Sequence, residues 1–153
     1  MSGGWDRLTP EGERFFAEIK KLSELKVLVG FEAGDATDDR GVDVAQIALF
    51  NELGTSTSPS RPFLRMSVDE NEDKIRAMCG KNLKTLTSGG TAESILKQTG
   101  TFGVSLVQEK IGSGGFAANA PSTIRKKGSD HPLIDTGRMR QSVKYVIKGK
   151  GES

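Results

Sequence analysis

Only two short segments of this chain read as β-strands, and they stand near its opposite ends: Lys26 to Phe31, KVLVGF, and Lys144 to Lys148, KYVIK. Both are apolar runs with β-branched residues, better suited to a pleated strand than to a helix. They are expected to pair as one antiparallel sheet, which obliges everything between them to fold back on itself. The polar loops could hide further short strands. The spacing of apolar residues elsewhere is helical, so the fold class expected is α+β, a small antiparallel sheet covered by several helices and linked by long mobile loops.

The helices announce themselves by their ends. Thr9 and Pro10 form an N-cap and first-turn pair, and Phe15, Phe16, Ile19 and Leu22 follow at helical spacing to about Glu24. Asp43 with Gln46 has the pattern of a capping box, Val42 with Ile47 that of a hydrophobic staple, and Gly54 stands where a C-terminal glycine belongs, so a helix is expected over Val44 to Leu53. After the loop TSTSPSRP, with Pro62 at the first helical position, one long helix is expected to carry the stripe Leu64, Val68, Ile75, Cys79, Leu83 and Leu86. Ser88, Gly89 and Gly90 end it. Thr91 caps the next helix, whose apolar side is Ala92, Ile95, Leu96, Phe102, Leu106 and Ile111. Gly100 and Gly103 would thin this helix, so either a close neighbour compensates for them or the helix bends there. Gly34 to Gly41 reads as a flexible acidic loop, and Ser113 to Gly115 as a hinge. Residues 1–8 and 149–153 are expected to fray.

The 153 residues suit a single domain of ordinary size. Hydrophobic residues make up 35%, and adding the 19 glycines brings the apolar share close to the ordinary globular range. Net charge is only +2, yet it is unevenly spread: from Arg125 onward there are 8 basic and 3 acidic residues, leaving 14 basic and 17 acidic before it. A chain with opposite poles can stack head to tail against copies of itself or against a neighbour, though solvated charge reads equally well. Cys79 is single, which excludes an intramolecular disulfide, and its place on the helical stripe suggests a buried thiol compatible with the cytosol. No secretory leader and no run of 18 apolar residues is present, so no membrane partner is expected.

Residues for catalysis are few. His131 is the only histidine and precedes a proline, no nucleophile-elbow pattern occurs, and one cysteine with one histidine cannot make a structural zinc site. Asp35, Asp38, Asp39 and Asp43 lack the spacing of a helix–loop–helix calcium site, and IGSGGF lacks the lysine of a phosphate loop. Neither an enzyme nor a cofactor is expected. The segment from Asn119 to Val143 is more informative. Pro121 and Pro132 keep it out of any central strand, Arg125, Lys126 and Lys127 make it cationic, and Ile134, Asp135 and Met139 place a stapled, capped helix from Thr136. It is suited to contact with a large partner. Arg125, Lys126, Lys127, Arg138 and Arg140 could touch DNA phosphates, but the interleaved aromatics of single-strand binders are missing.

Two blocks together carry a family resemblance. ALFNELGTSTSPSRPFLR, residues 48–65, resembles the pattern NE-GTS-PARPFLR, and NAPSTIRKKGSDHPLIDTGRMRQSVKYVI, residues 119–147, resembles NAP-T---KG---PLIDTG-LR-S. Both patterns are those of tailed-bacteriophage neck and tail-completion proteins of the virion-morphogenesis group. Met139 replaces the more usual leucine, and Ser58 to Ser60 a more alanine-rich stretch. The resemblance implies a noncatalytic α+β subunit of the virion neck or tail, assembled in the host cytoplasm. It implies a ring of identical copies, a hexamer or alternatively a dodecamer, between head-completion or adaptor proteins and tail-terminator or tail-tube proteins. Beside it, Arg61, Pro62, Phe63 and Arg65 combine an aromatic anchor with forked donors, which suits an interface. The other reading is that Phe63 and Leu64 close the core while the arginines are solvated. Asn119, Pro121, Arg125, Lys126 and Arg138 are the remaining candidates for subunit contact.

Overall fold

The two β-branched runs pair with each other. In the computed structural model, which describes residues 8–38, 40–57, 59–113 and 137–152, β1 (Leu25–Gly30) lies antiparallel to β2 (Lys144–Gly149), with Leu28 opposite Val146 and Val29 opposite Tyr145. The helices are α1 (Pro10–Glu24), α2 (Val44–Leu53), α3 (Phe63–Asp69), α4 (Glu72–Thr87), α5 (Ala92–Ser113) and α6 (Gly137–Ser142). The fold is α+β, and α5 is its spine, in contact with α1, α3, α4, α6 and both strands.

The two glycines of α5 are explained by the sheet. A β-carbon on Gly100 would lie 2.4 Å from the Tyr145 ring, and one on Gly103 would lie 2.8 Å from Val29 Cγ2. Tyr145 and Val29 are cross-strand partners, so a single rung of the sheet rests on a flat spot that only glycine can provide. The helix runs unbroken through both positions. Side chains one residue along, Leu28 and Val146, point the other way and are exposed.

Local caps account for several boundaries. Gly12 N–H donates to Thr9 Oγ1 at 3.0 Å, Ala45 N–H to Asp43 Oδ1 at 3.1 Å, and Ser94 N–H to Thr91 Oγ1 at 3.1 Å. Gly54 ends α2 at φ 78°, in the left-handed region that favours glycine. The turn between α4 and α5 is closed from a distance. Arg14 donates to Leu86 O at 2.7 Å and Gly90 O at 2.8 Å, while Glu18 accepts from Ala92 N–H at 2.8 Å. One turn of α1 therefore satisfies orphan groups at the end of α4 and the start of α5. The Ala92 N–H holds the Glu18 carboxyl below the ordinary glutamate value, helped by Lys21 and Arg14. A depressed carboxylate stabilises the fold above its unfolded pKa and loses that contribution as pH falls through the folded one. Glu18→Gln should accordingly melt lower than the parent at pH 7, and thermal melts should show the two converging below about pH 4.5.

Four expectations need correction. The long helix after Pro62 is two helices, broken at Glu70 and Asn71, where Asn71 takes φ −122°, ψ 22° and donates its amide to Ser67 O at 2.7 Å. Asp69 and Glu70 are unfavourable at a helix C-terminus and Glu72 and Asp73 favourable at an N-terminus, so the dipoles prefer the break. Second, the stripe does not survive it: Leu86 is buried, but Val68 and Leu83 are more than half exposed and Cys79 lies on the surface. What α4 buries is Leu86 and Asn82, whose amide donates to Thr99 Oγ1 of α5 at 3.0 Å.

Third, the acidic loop is organised rather than loose. Asp38 Oδ1 accepts from the N–H groups of Arg40 and Val42, Asp43 Oδ2 accepts from Gly34 N–H, and Thr37 bridges to Asp43. The Val42 N–H, with Arg40, depresses the Asp38 pKa. The carboxylates of Asp38 and Asp43 are turned to backbone donors, as short polar side chains in turns do. Fourth, residues 149–152 are held: Lys150 N–H donates to Glu24 O at 3.0 Å and Glu152 N–H to Gly149 O at 3.0 Å. Their attachment to the end of α1 could not be read from local sequence.

Candidate functional site

The first sequence block folds as a self-bonded unit. Asn51 O accepts from Arg61 N–H at 2.5 Å, and Glu52 O from Ser60 Oγ at 2.7 Å. The chain passes so close to Gly54 that a β-carbon there would lie 2.8 Å from Ser60 N. Pro62 stands outside α3 at φ −78°, ψ 65°, an inverse γ-turn closed by Phe63 N–H donating to Arg61 O at 2.8 Å. It is thus the N-cap rather than the first helical residue. Glu52 does the capping that Pro62 cannot: its carboxylate accepts from Leu64 N–H at 2.8 Å and Arg65 N–H at 3.3 Å. The role of Glu52 escaped sequence reading because the capping partner lies across a loop.

Phe63 is fully buried, its ring edge-on to Phe31 with centroids 5.8 Å apart. It touches a core built from Val44, Ala48, Val107, Ile111, Met139 and Val143. The core reading therefore holds for Phe63, and its place among interface residues is withdrawn: a ring with no surface cannot meet a neighbour. Arg61 and Pro62 are half-buried and Arg65 is exposed. Val143 and Met139 come from the second block, so the two blocks meet in one cluster.

Asn119, Pro121, Arg125, Lys126 and Lys127 lie outside the described residues, as do His131, Pro132, Ile134, Asp135 and Thr136. Within the described part, α6 begins at Gly137 and buries Met139. Arg138 Nη1 donates to Thr37 O at 2.6 Å, so this cation ties α6 to the acidic loop. Arg140 is exposed; its carbonyl accepts from Gln108 Nε2 at 3.1 Å, and its guanidinium lies against Gly112, where a β-carbon would be 3.2 Å from Nη1. Lys144 pairs with Asp35 at 2.8 Å and Glu32 at 3.3 Å, and the Asp35 carboxylate raises its pKa. Part of the charge contrast between body and tail is thus neutralised inside one chain.

Among the described residues, no group of three His, Cys, Asp or Glu side chains is placed to hold a metal ion. Beside the first block, Leu49, Phe50 and Leu53 project from α2 into solvent, off the Val44 and Ala48 face that packs inward. A groove of about 300 Å³ opens between α3, α4, α5 and β1, lined by Val29, Leu64, Val68, Ile75, Met78 and Phe102 among others. No family model, curated protein or solved structure matches the chain.

Proposed function

We propose that this chain is a noncatalytic structural subunit of a phage head–tail connector, forming a ring of identical copies between the portal complex and the tail. The observation that supports this most is the joining of the two resembling blocks: Ala48 and Phe63 of the first pack with Met139 and Val143 of the second in one core cluster. Segments far apart in sequence thus act as one unit, as blocks shared within one family of folds should. The exposed apolar ridge Leu49, Phe50 and Leu53 gives such a subunit unspent surface for neighbours. Arg61, Pro62, Arg65, Asn119, Pro121, Arg125, Lys126 and Arg138 remain the positions proposed for subunit contact.

Phosphate contact is the weaker reading here, since Arg138 is engaged by Thr37 and Arg140 lies against α5. A phage genome deleted for this chain should yield heads and tails that fail to join, visible by negative stain. Joined particles in normal yield would overturn the connector reading.

A further inference from the structure

Two parts of the first block hold each other across the loop that separates them. Asn51 and Glu52 stand in the last turn of α2, and Arg61 to Arg65 lead into α3. All three oxygen atoms of Glu52 accept from the second part: its carbonyl from Ser60 Oγ at 2.7 Å, Oε1 from Leu64 N–H at 2.8 Å and Oε2 from Arg65 N–H at 3.3 Å. Asn51 O adds the bond from Arg61 N–H.

These bonds serve different ends. Arg61 N–H is bound to Asn51, Pro62 has its φ fixed by the ring, and Phe63 is locked in the core, so the entry to α3 is anchored without Glu52. The first turn of α3 is not. Its N-cap is Pro62, which offers no side-chain acceptor, and the N–H groups of Leu64 and Arg65 depend on the Glu52 carboxylate. Removing that carboxylate should therefore loosen one turn and leave the core in place. Arg65 belongs to that turn, and its side chain is exposed. An arginine contributes most to a contact when its backbone is already fixed, because less ordering is left for binding.

We infer that Glu52 is a positioning residue for subunit contact: its carboxylate, turned into its own chain, fixes the first turn of α3 so that Arg65 meets the neighbouring copy in one geometry. Glu52 acts behind the contact and does not touch the neighbour. The inference deepens the ring reading above and rests on it.

The test supplies variants to a phage deleted for the chain and counts joined particles, with thermal melts of the purified chains alongside. Glu52→Ala should cut joining about tenfold or more, whereas Glu52→Gln, which keeps the reach and an acceptor oxygen, should retain most of it. A Glu52→Gln loss as deep as that of Glu52→Ala would overturn the inference, by making the charge decisive, as in a direct contact. Adding Gly80→Ala to Glu52→Ala should recover melting temperature without recovering joining. Joining that returns together with the melting temperature would make Glu52 merely structural and overturn the inference. Arg65→Ala should cut joining by itself, and combining it with Glu52→Ala should cost little more, since the position of an absent side chain no longer matters. Losses that multiply would overturn the inference, by separating Glu52 from Arg65. Normal joining by Glu52→Ala or by Arg65→Ala would overturn it as well while leaving the ring reading intact, since unsupplemented particles still fail to join. Joining without any supplied chain would instead remove the ring reading, and the role of Glu52 with it.

Discussion

Phe63→Ala should cost about 3–5 kcal/mol, the usual range for emptying a buried aromatic site. Among the described residues the ring is the largest fully buried side chain, and it packs with residues of α2, α5 and α6. It also makes an edge contact with Phe31 at 81° between planes, a geometry worth about 0.5–1.5 kcal/mol beyond its area. Against a total stability of about 5–15 kcal/mol, that loss should shift the urea midpoint of the isolated chain by a large fraction of its value. The result separates two roles for the same residue. An interface anchor would leave the isolated chain as stable as before and weaken only assembly, so an unchanged midpoint would refute the core assignment. Because Met139 and Val143 share this cluster, the variant should also loosen α6, measurable as faster amide exchange there.

Substituting alanine at two helical glycines should give opposite signs. At Gly80 in α4 nothing lies within 4 Å of an added β-carbon, so Gly80→Ala should stabilise by up to about 1 kcal/mol and raise the melting temperature by roughly 2–4 °C. At Gly100 the same change meets the Tyr145 ring at 2.4 Å, at the Cγ end that the strand backbone holds in place. Overpacking of this kind costs about 1–3 kcal/mol, and here the upper end applies because the sheet rung must lift off α5. After the gain in helix propensity, a net loss of about 2 kcal/mol should lower the melting temperature by roughly 4–8 °C. Adding Tyr145→Ala removes the obstacle, so the double variant should lose less than the sum of the two single changes. Simple additivity would mean that the ring does not press on Gly100.

These two sites also mark how far the chain could be read without coordinates. The boundaries of α2 were legible because Asp43 and Gly54, which set them, are its immediate neighbours. The same holds for Thr9 at α1 and Thr91 at α5. The break at Glu70 and Asn71 was missed because apolar spacing passes through it unchanged, while the opposing effect, charge against helix dipole, is weak at each residue. Cys79, Val68 and Leu83 were assigned to a buried stripe by periodicity alone; which side of α4 is covered depends on where α5 lies, and that is not encoded within α4. Of the proposed contact residues, Phe63 went to the core and Arg138 to Thr37, both through partners distant in sequence.

The amino-acid sequence by itself determined which segments become helix or strand, most of their ends, and that strands from the two ends of the chain must meet. These follow from spacing and caps, which act within a few residues. Tertiary structure alone decided which faces are spent. Glu18 and Arg14 close a turn on another part of the chain, Glu52 caps α3 across a loop, and the glycines of α5 receive one rung of the sheet. It also left the opposite side of that rung's neighbours, Leu28 and Val146, uncovered. The physical reason is the same in each case: burial and hydrogen-bond satisfaction depend on groups brought together by chain reversal, whereas periodicity reports only what one segment could bury if something were there to bury it against.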